Sequence, residues 1–267
     1  MSYRTSQYAN FPGGLPARDI SYRQGELWCI GHDGNVYRSL SRDQWGLKHY
    51  ASAIKIQAVP DGVYVLEENR SSIYKVPATA ADPTTLEREA RYRPTAFRTE
   101  IKDFVVTTDG NYFALTTAGV FGERARVAYT SSTGLTRYTY EFRPLSGNLD
   151  KISGLDSNTI WGISGTTPMR WEGGQWTSLS GSISDIAIAD DGWKVGINTS
   201  KLIVYWDGAA FRTDFDRRSM RTGQLPTSDQ IAARTITSLY AASGSRLLNY
   251  YVSRRDSSDF DGQSPPR

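Results

Sequence analysis

The sequence predicts an all-β fold made of repeated four-stranded antiparallel units, and three observations lead there. Short apolar runs with period-two alternation recur down the chain, a glycine or asparagine marks a turn in each, and a bulky residue opens most of the strands that follow. Six copies read "RDISYRQGELWCIG", "IKIQAVPDGVYVLE", "KDFVVTTDGNYFALT", "DKISGLDSNTIWGIS", "SDIAIADDGWKVGIN" and "ITSLYAASGSRLLNYYV". Their turn markers are Gly25, Gly62, Gly110, Asn158, Gly192 and Gly244, hence 34 to 52 residues apart. Asp precedes Gly at Gly62, Gly110 and Gly192, which suits the positive φ of a tight hairpin.

Each unit continues into a third strand and usually an aromatic-bearing fourth, as in "NVYRSLSRDQWGLKHY", "MRWEGGQWTSLSG" and "IVYWDGAAFRTDF". Four strands per repeat of this length make the blade of a β-propeller. The expected architecture is a six-bladed propeller over residues 1–252 with a polar tail at 253–267, five blades being the alternative if the third unit is irregular. Tyr3 and Tyr8 repeat the spacing of Trp171 with Trp176 and of Trp206 with Phe211, so Ser2 to Phe11 reads as strands three and four. Thr235 to Val252 reads as strands one and two, and the two ends then complete the last blade two plus two, leaving no free edge. Two insertions, "ATAADPTTLEREARYRPTAFR" and "DRRSMRTGQLPTSDQIAAR", read as loops. Glu87, Arg88 and Glu89 suggest one short helical turn, and Arg217, Arg218 and Arg221 a solvated basic loop.

Composition narrows the function classes. Net charge is +3 from 31 basic and 28 acidic residues, with the basic residues scattered, so no nucleic-acid surface is expected. Cys29 is the single cysteine, which fits a reducing compartment. The start "MSYRTSQYAN" lacks the charged and apolar regions of a secretory leader, and no apolar run is long enough to span a bilayer. A cytoplasmic protein with no membrane insertion is expected, with release by a non-classical route as the exception. His32 and His49, the two histidines, sit by a turn and a strand end and offer no metal-ligand spacing. No nucleophile elbow, phosphate loop, zinc-protease motif or EF-hand loop occurs. The expectation is a binding protein without catalytic residues, metal or cofactor.

Two constellations stand out. Aligned on the turns, the residues preceding the inner strands are Asp19, Lys55, Asp103, Lys151, Asp185 and Thr237, so charge alternates around one mouth of the central channel. A charge-paired structural ring is the expected role, and a catalytic centre at Asp19, Asp103 and Asp185 the competing one. Trp28, Tyr64, Phe113 and Trp161 share one second-strand position and are expected between blades. Trp45, Trp171, Trp176, Tyr205 and Trp206 lie on later strands, where an aromatic face can stack on a sugar while Arg170 and Asp207 hold its hydroxyls.

"DSNTIWGISGTTPMRWEGGQW", "RQGELWCIGHDGNVYRSLSRDQW" and "DDGWKVGINTSKLIVYWDG" are similar to tectonin-type propeller repeats, in which a turn, a Trp-Gly-Ile/Val-Asn-like strand, an Ile/Val-Tyr strand and a closing Trp follow in order. The resemblance covers about half the chain; the second, third and sixth units lack the closing Trp or carry insertions. It implies a cofactor-independent lectin with glycan sites between blades. Glycans or glycoconjugates are therefore the expected partners, and a protein-interaction scaffold using loops 77–99 and 212–234 or one face is the alternative.

Overall fold

Residues 3–49, 52–68, 72–76, 87–91, 100–212, 230–235 and 238–252 are described by the structure, a computed structural model. β1 (Tyr3–Asn10) precedes a first blade of β2 (Asp19–Arg23), β3 (Glu26–Ile30), β4 (Val36–Ser41) and β5 (Gln44–His49). The second blade is β6 (Ala53–Val59), β7 (Gly62–Glu67), β8 (Ser72–Val76) and β9 (Glu87–Arg91). The third is β10 (Ile101–Val106), β11 (Tyr112–Thr116), β12 (Val120–Thr130) and β13 (Thr136–Asn148). The fourth is β14 (Lys151–Gly154), β15 (Ile160–Ser164), β16 (Thr167–Glu172) and β17 (Gln175–Ser178). The fifth is β18 (Ile183–Ile188), β19 (Lys194–Asn198), β20 (Ile203–Trp206) and β21 (Phe211–Arg212). β22 (Gln230–Thr235), β23 (Ser238–Ser243) and β24 (Arg246–Val252) begin the sixth. Every sheet has four antiparallel strands, so the fold is the six-bladed β-propeller.

The chain ends meet in the sixth blade, in a different division from the one expected. β1 pairs with β24, placing Tyr3 opposite Val252 and Asn10 opposite Arg246, so closure is three plus one rather than two plus two. The inner strand of this blade lies in "QIAART", inside the stretch that reads as an insertion, and no glycine follows it; Gly244 instead turns β23 into β24. Thr237 lies outside the described residues, and Gln230 opens this inner strand. Glu87 to Glu89 belong to β9 rather than a helical turn, because the edge of β8 offers ladder partners that a lone helical turn lacks. Arg217, Arg218 and Arg221, most of the two insertions and the tail lie outside the described residues.

The core consists of wedges between neighbouring blades. Trp28, Ile30 and Val36 of the first blade pack on Ile56, Val63, Val65 and Val76 of the second. Trp161 and Ile163 of the fourth pack on Ile183, Ile186, Ile188, Val204 and Trp206 of the fifth. Each second-strand ring fills the gap between two twisted sheets, and Trp28, Tyr64, Phe113 and Trp161 are all buried. The Asp-Gly turns at Gly110 and Gly192 hold φ at +81° and +83°, the left-handed region that glycine enters without strain. No helix among the described residues is long and apolar enough to cross a membrane.

Candidate functional site

Among the described residues, three concave regions stand out: the central channel and two clefts at equivalent junctions on one face. The channel comes first, because the inner strands bring Asp19, Lys55, Asp103, Lys151 and Asp185 together at one mouth. Each aspartate reaches to the next blade and accepts its inner-strand N–H. Asp19 Oδ2 takes Ile56 N at 2.9 Å, Asp103 Oδ2 takes Ile152 N at 3.0 Å and Asp185 Oδ2 takes Ile231 N at 2.9 Å. Lys55 Nζ stands 3.5 Å from both Asp19 and Asp103, and Lys151 Nζ donates to Asp185 Oδ1 at 2.9 Å. Gln230 precedes Ile231 as Lys55 precedes Ile56, so the third even-numbered blade contributes an amide instead of a cation.

The charges of this ring follow from their surroundings. Burial raises the Asp19 carboxyl above its ordinary value, Lys55 and the Ile56 N–H oppose this, and Asp103 and Asp185 add to it. Burial works against the Lys55 ammonium too, but Asp103, Asp19 and Asp185 outweigh it and push its pKa up. At the other mouth Arg23 Nη1 meets Asp190 Oδ1 at 2.8 Å, and Gln24 N donates to Asp190 Oδ2 at 3.1 Å. What remains between is a cavity of about 100 Å³, room for roughly three waters at ~30 Å³ each. Among the described residues no group of three or more His, Cys, Asp or Glu is arranged to hold a metal ion.

The cleft between the fourth and fifth blades has a volume of about 890 Å³. Its floor is set by the cross-strand pair Trp161 and Arg170, and its rim by the turns at Asp156–Thr159, Gly173–Gly174 and Asp190–Gly192. Arg170 Nη2 donates to Glu172 Oε2 at 2.6 Å, while Arg170 Nε is buried without a hydrogen-bond partner. Lys194 Nζ lies 5.7 Å from the centre of the Trp161 ring, and burial, then the nearby Arg170, lower its pKa. Asp156 Oδ1 accepts Asn158 N at 2.9 Å, which fixes the turn and leaves the Asn158 amide at the exposed rim.

The equivalent cleft between the first and second blades has a volume of about 430 Å³. Trp28 and Arg38 form the same cross-strand pair, and Glu26 accepts from both, Trp28 Nε1 at 3.2 Å and Arg38 Nη1 at 2.8 Å. Lys48 and the turn Pro60–Gly62 complete its walls.

Of the expected ligand residues only Arg170 turns its side chain into a cleft. Trp171 borders the same cleft, but its ring packs on Phe121 of the third blade at 5.0 Å and on Trp176 at 5.3 Å. Trp176 also packs on Phe121 at 5.0 Å, so the three rings form one cluster. Trp206 is 2% exposed and lies edge-on to Trp161 at 5.2 Å, so its face is spent on the core. Trp45 is half-buried against Phe11, with Nε1 donating to Asn10 O at 2.9 Å. Asp207 caps a turn: the N–H groups of Ala210 and Ala209, then Arg212, hold its carboxyl at about 2. Asn158, Lys194, Arg38 and Lys48 were not among the expected residues; the spacing of Arg38 and Arg170 opposite a second-strand Trp is the signal that marks two of them.

No protein-family model and no curated protein sequence matches the chain. Solved structures do. A gluconolactonase from Xanthomonas campestris is similar at 12% identity and a TM-score of 0.63, covering 94% of this chain and 90% of its own. The WD40 propeller domain of Doa1 is similar at 9% identity and 0.59, covering 94% and 98%. YCF48 from Cyanidioschyzon merolae is similar at 16% identity and 0.54, covering 93% and 82%. A streptogramin B lyase and a luciferin-regenerating enzyme share the fold as well. The expectation that the chain is not an enzyme is corrected by these neighbours. Three of them are enzymes on this architecture, so neither the fold nor the missing motifs separate this chain from a catalyst.

Proposed function

We propose that the chain binds a glycan in the cleft between its fourth and fifth blades. The observation that supports this is the concentration of hydroxyl-fixing groups there, since Arg170 with Glu172, Asn158, Asp191 and Lys194 surround a space of about 890 Å³. Arginine and carboxylate present paired, planar hydrogen bonds that suit vicinal hydroxyls, and the volume lies in the usual range of small-ligand sites, roughly 300–1,000 Å³. The likeness to tectonin-type repeats points the same way, because units one and four carry both the repeat pattern and these two clefts. A glycan array read against a heat-unfolded control tests the proposal. Selective binding to one glycan class is expected, with Arg170→Ala and Asn158→Ala each weakening it roughly tenfold as charge-assisted and neutral hydrogen bonds are removed. Selective binding that survives both substitutions rules the cleft out.

A protein-interaction role is the second reading, and one feature favours it. β12 and β13 run 11 and 13 residues, far beyond the five-residue β11, and form a projecting hairpin. Tyr129 and Leu135 near its tip are 47% and 61% exposed. A clean negative on the array, with partner capture lost on trimming this hairpin, would replace the glycan reading.

A further inference from the structure

The cleft between the first and second blades has the framework of its counterpart but a different chemistry. Each of its carboxylates is already engaged. Glu26 receives Arg38 and Trp28, and Asp61 Oδ2 accepts Tyr64 Oη at 2.9 Å with Lys75 Nζ 3.5 Å away. Arg23 is neutralised by Asp190 across the channel mouth. Lys48, half-buried at the wall, makes no ion pair among the described residues. Arg38 has only Nη1 committed to Glu26, and a guanidinium carries five N–H donors. The uncompensated charge of the cleft is therefore one positive unit, carried where Lys48 and Arg38 border the same space.

Apart from Gln24, the rest of the lining is apolar. Val59, Pro60, Val63 and Val76 form the opposite wall, and the turn at Pro60 projects no polar side chain toward them other than Asp61, which is held by Tyr64. A ligand filling this space desolvates an apolar wall with one end and meets two cations with the other. The balance of one net charge favours a monoanion, since a dianion would also face Glu26 and Asp61 at close range.

We propose that this cleft is a second binding site, for a small carboxylate with a compact apolar body, held by Arg38 and Lys48 at the carboxylate and by Val59, Pro60 and Val63 at the body. The site is independent of the glycan cleft and shares no lining residue with it. Saturation-transfer NMR on the full chain with 3-phenylpropionate as the probe tests it, alongside 3-phenylpropionamide, glucuronate and inorganic phosphate. Saturation of the ring protons by 3-phenylpropionate is expected, with the amide at least roughly tenfold weaker because it loses the charge-assisted bonds. Lys48→Gln and Arg38→Gln each weaken the carboxylate severalfold, added salt weakens it further, and Arg170→Ala leaves it unchanged. Lys48→Gln carries the test if Arg38→Gln disturbs Glu26, since Lys48 supports no other described side chain through an ion pair. No saturation of the probe, equal binding of acid and amide, or wild-type binding by Lys48→Gln overturns the proposal. Glucuronate or phosphate binding in place of 3-phenylpropionate overturns the apolar half of it. Loss of 3-phenylpropionate binding in Arg170→Ala would assign the probe to the other cleft.

Discussion

The two clefts are the same piece of architecture carrying opposite chemistry. In each, a second-strand tryptophan faces an arginine across one hydrogen-bonded register, Trp28 with Arg38 and Trp161 with Arg170. Around the fourth-to-fifth cleft stand Asp156, Glu172, Asp190 and Asp191 against Arg170 and Lys194. Around the first-to-second stand Glu26 and Asp61 against Arg23, Arg38 and Lys48. The pair survives repetition because the tryptophan is a packing residue, wedged between sheets, and the arginine beside it lies where the wedge opens to water. The turns carry no such packing duty, and their carboxylates, Asp156, Asp190 and Asp191 at one cleft against Asp61 at the other, set the sign of each cleft together with strand positions such as Lys48 on β5. Blade repetition thus conserves a scaffold and leaves the ligand chemistry to the turns and to strand positions where the wedge opens to water.

The strongest way to break the comparison is to open the ring. Removing residues 1–10 takes away β1 and exposes the edge of β24, and the chain is expected to lose cooperative unfolding and to aggregate, abolishing binding in both clefts together. Size-exclusion chromatography and a denaturant titration check this; a folded monomer with an unchanged midpoint would show that the closure strand is dispensable.

Next in size are the two tryptophans. Trp161→Ala and Trp28→Ala should each cost about 3–5 kcal/mol, as large-to-small changes at buried aromatic positions do. Equal losses by urea titration would sharpen the equivalence of the two junctions, whereas a loss under about 1 kcal/mol at either would break it.

The smallest effects separate the two lysines. The Lys194 pKa is lowered, so over the interval between its folded pKa and its ordinary 10.5 the unfolded chain binds more protons than the folded one, and stability rises with pH there. Lys194→Met removes that dependence. Its advantage over wild type is expected to be full below the lowered pKa and to shrink as pH climbs toward 10.5, measured by thermal melts across the alkaline range. Lys48→Met should stay within about 0.5 kcal/mol of wild type, as an unpaired surface change does. A Lys194→Met advantage that grows with pH would reverse the assigned direction.

Much of the fold was readable in the chain because local chemistry dictates it. Asp-Gly turns impose hairpins, period-two runs impose strands, and the aromatic that opens the second strand announces a wedge to be filled. The alternating residues Asp19, Lys55, Asp103, Lys151 and Asp185 were readable for the same reason, since the register of an inner strand is pinned by its turn. The sixth blade escaped because "QIAART" follows a long insertion and has no glycine at its turn, so the residue that completes the ring, Gln230, was displaced to Thr237.

The binding residues were harder to see for a different physical reason. Alternation assigns side chains to two faces of a strand, but in a propeller both faces are covered by neighbouring blades, so period two cannot say which aromatics reach water. Trp206 and Trp171 follow the same pattern as rim residues, yet one lies in the core and the other turns onto Phe121. By itself the sequence determined the blade, most of its turns, its wedge residues and the sign of five channel positions. Only the tertiary structure decided how the ends close, which side chains share a cleft and what charge each cleft presents, because those depend on distances between blades that no local pattern encodes.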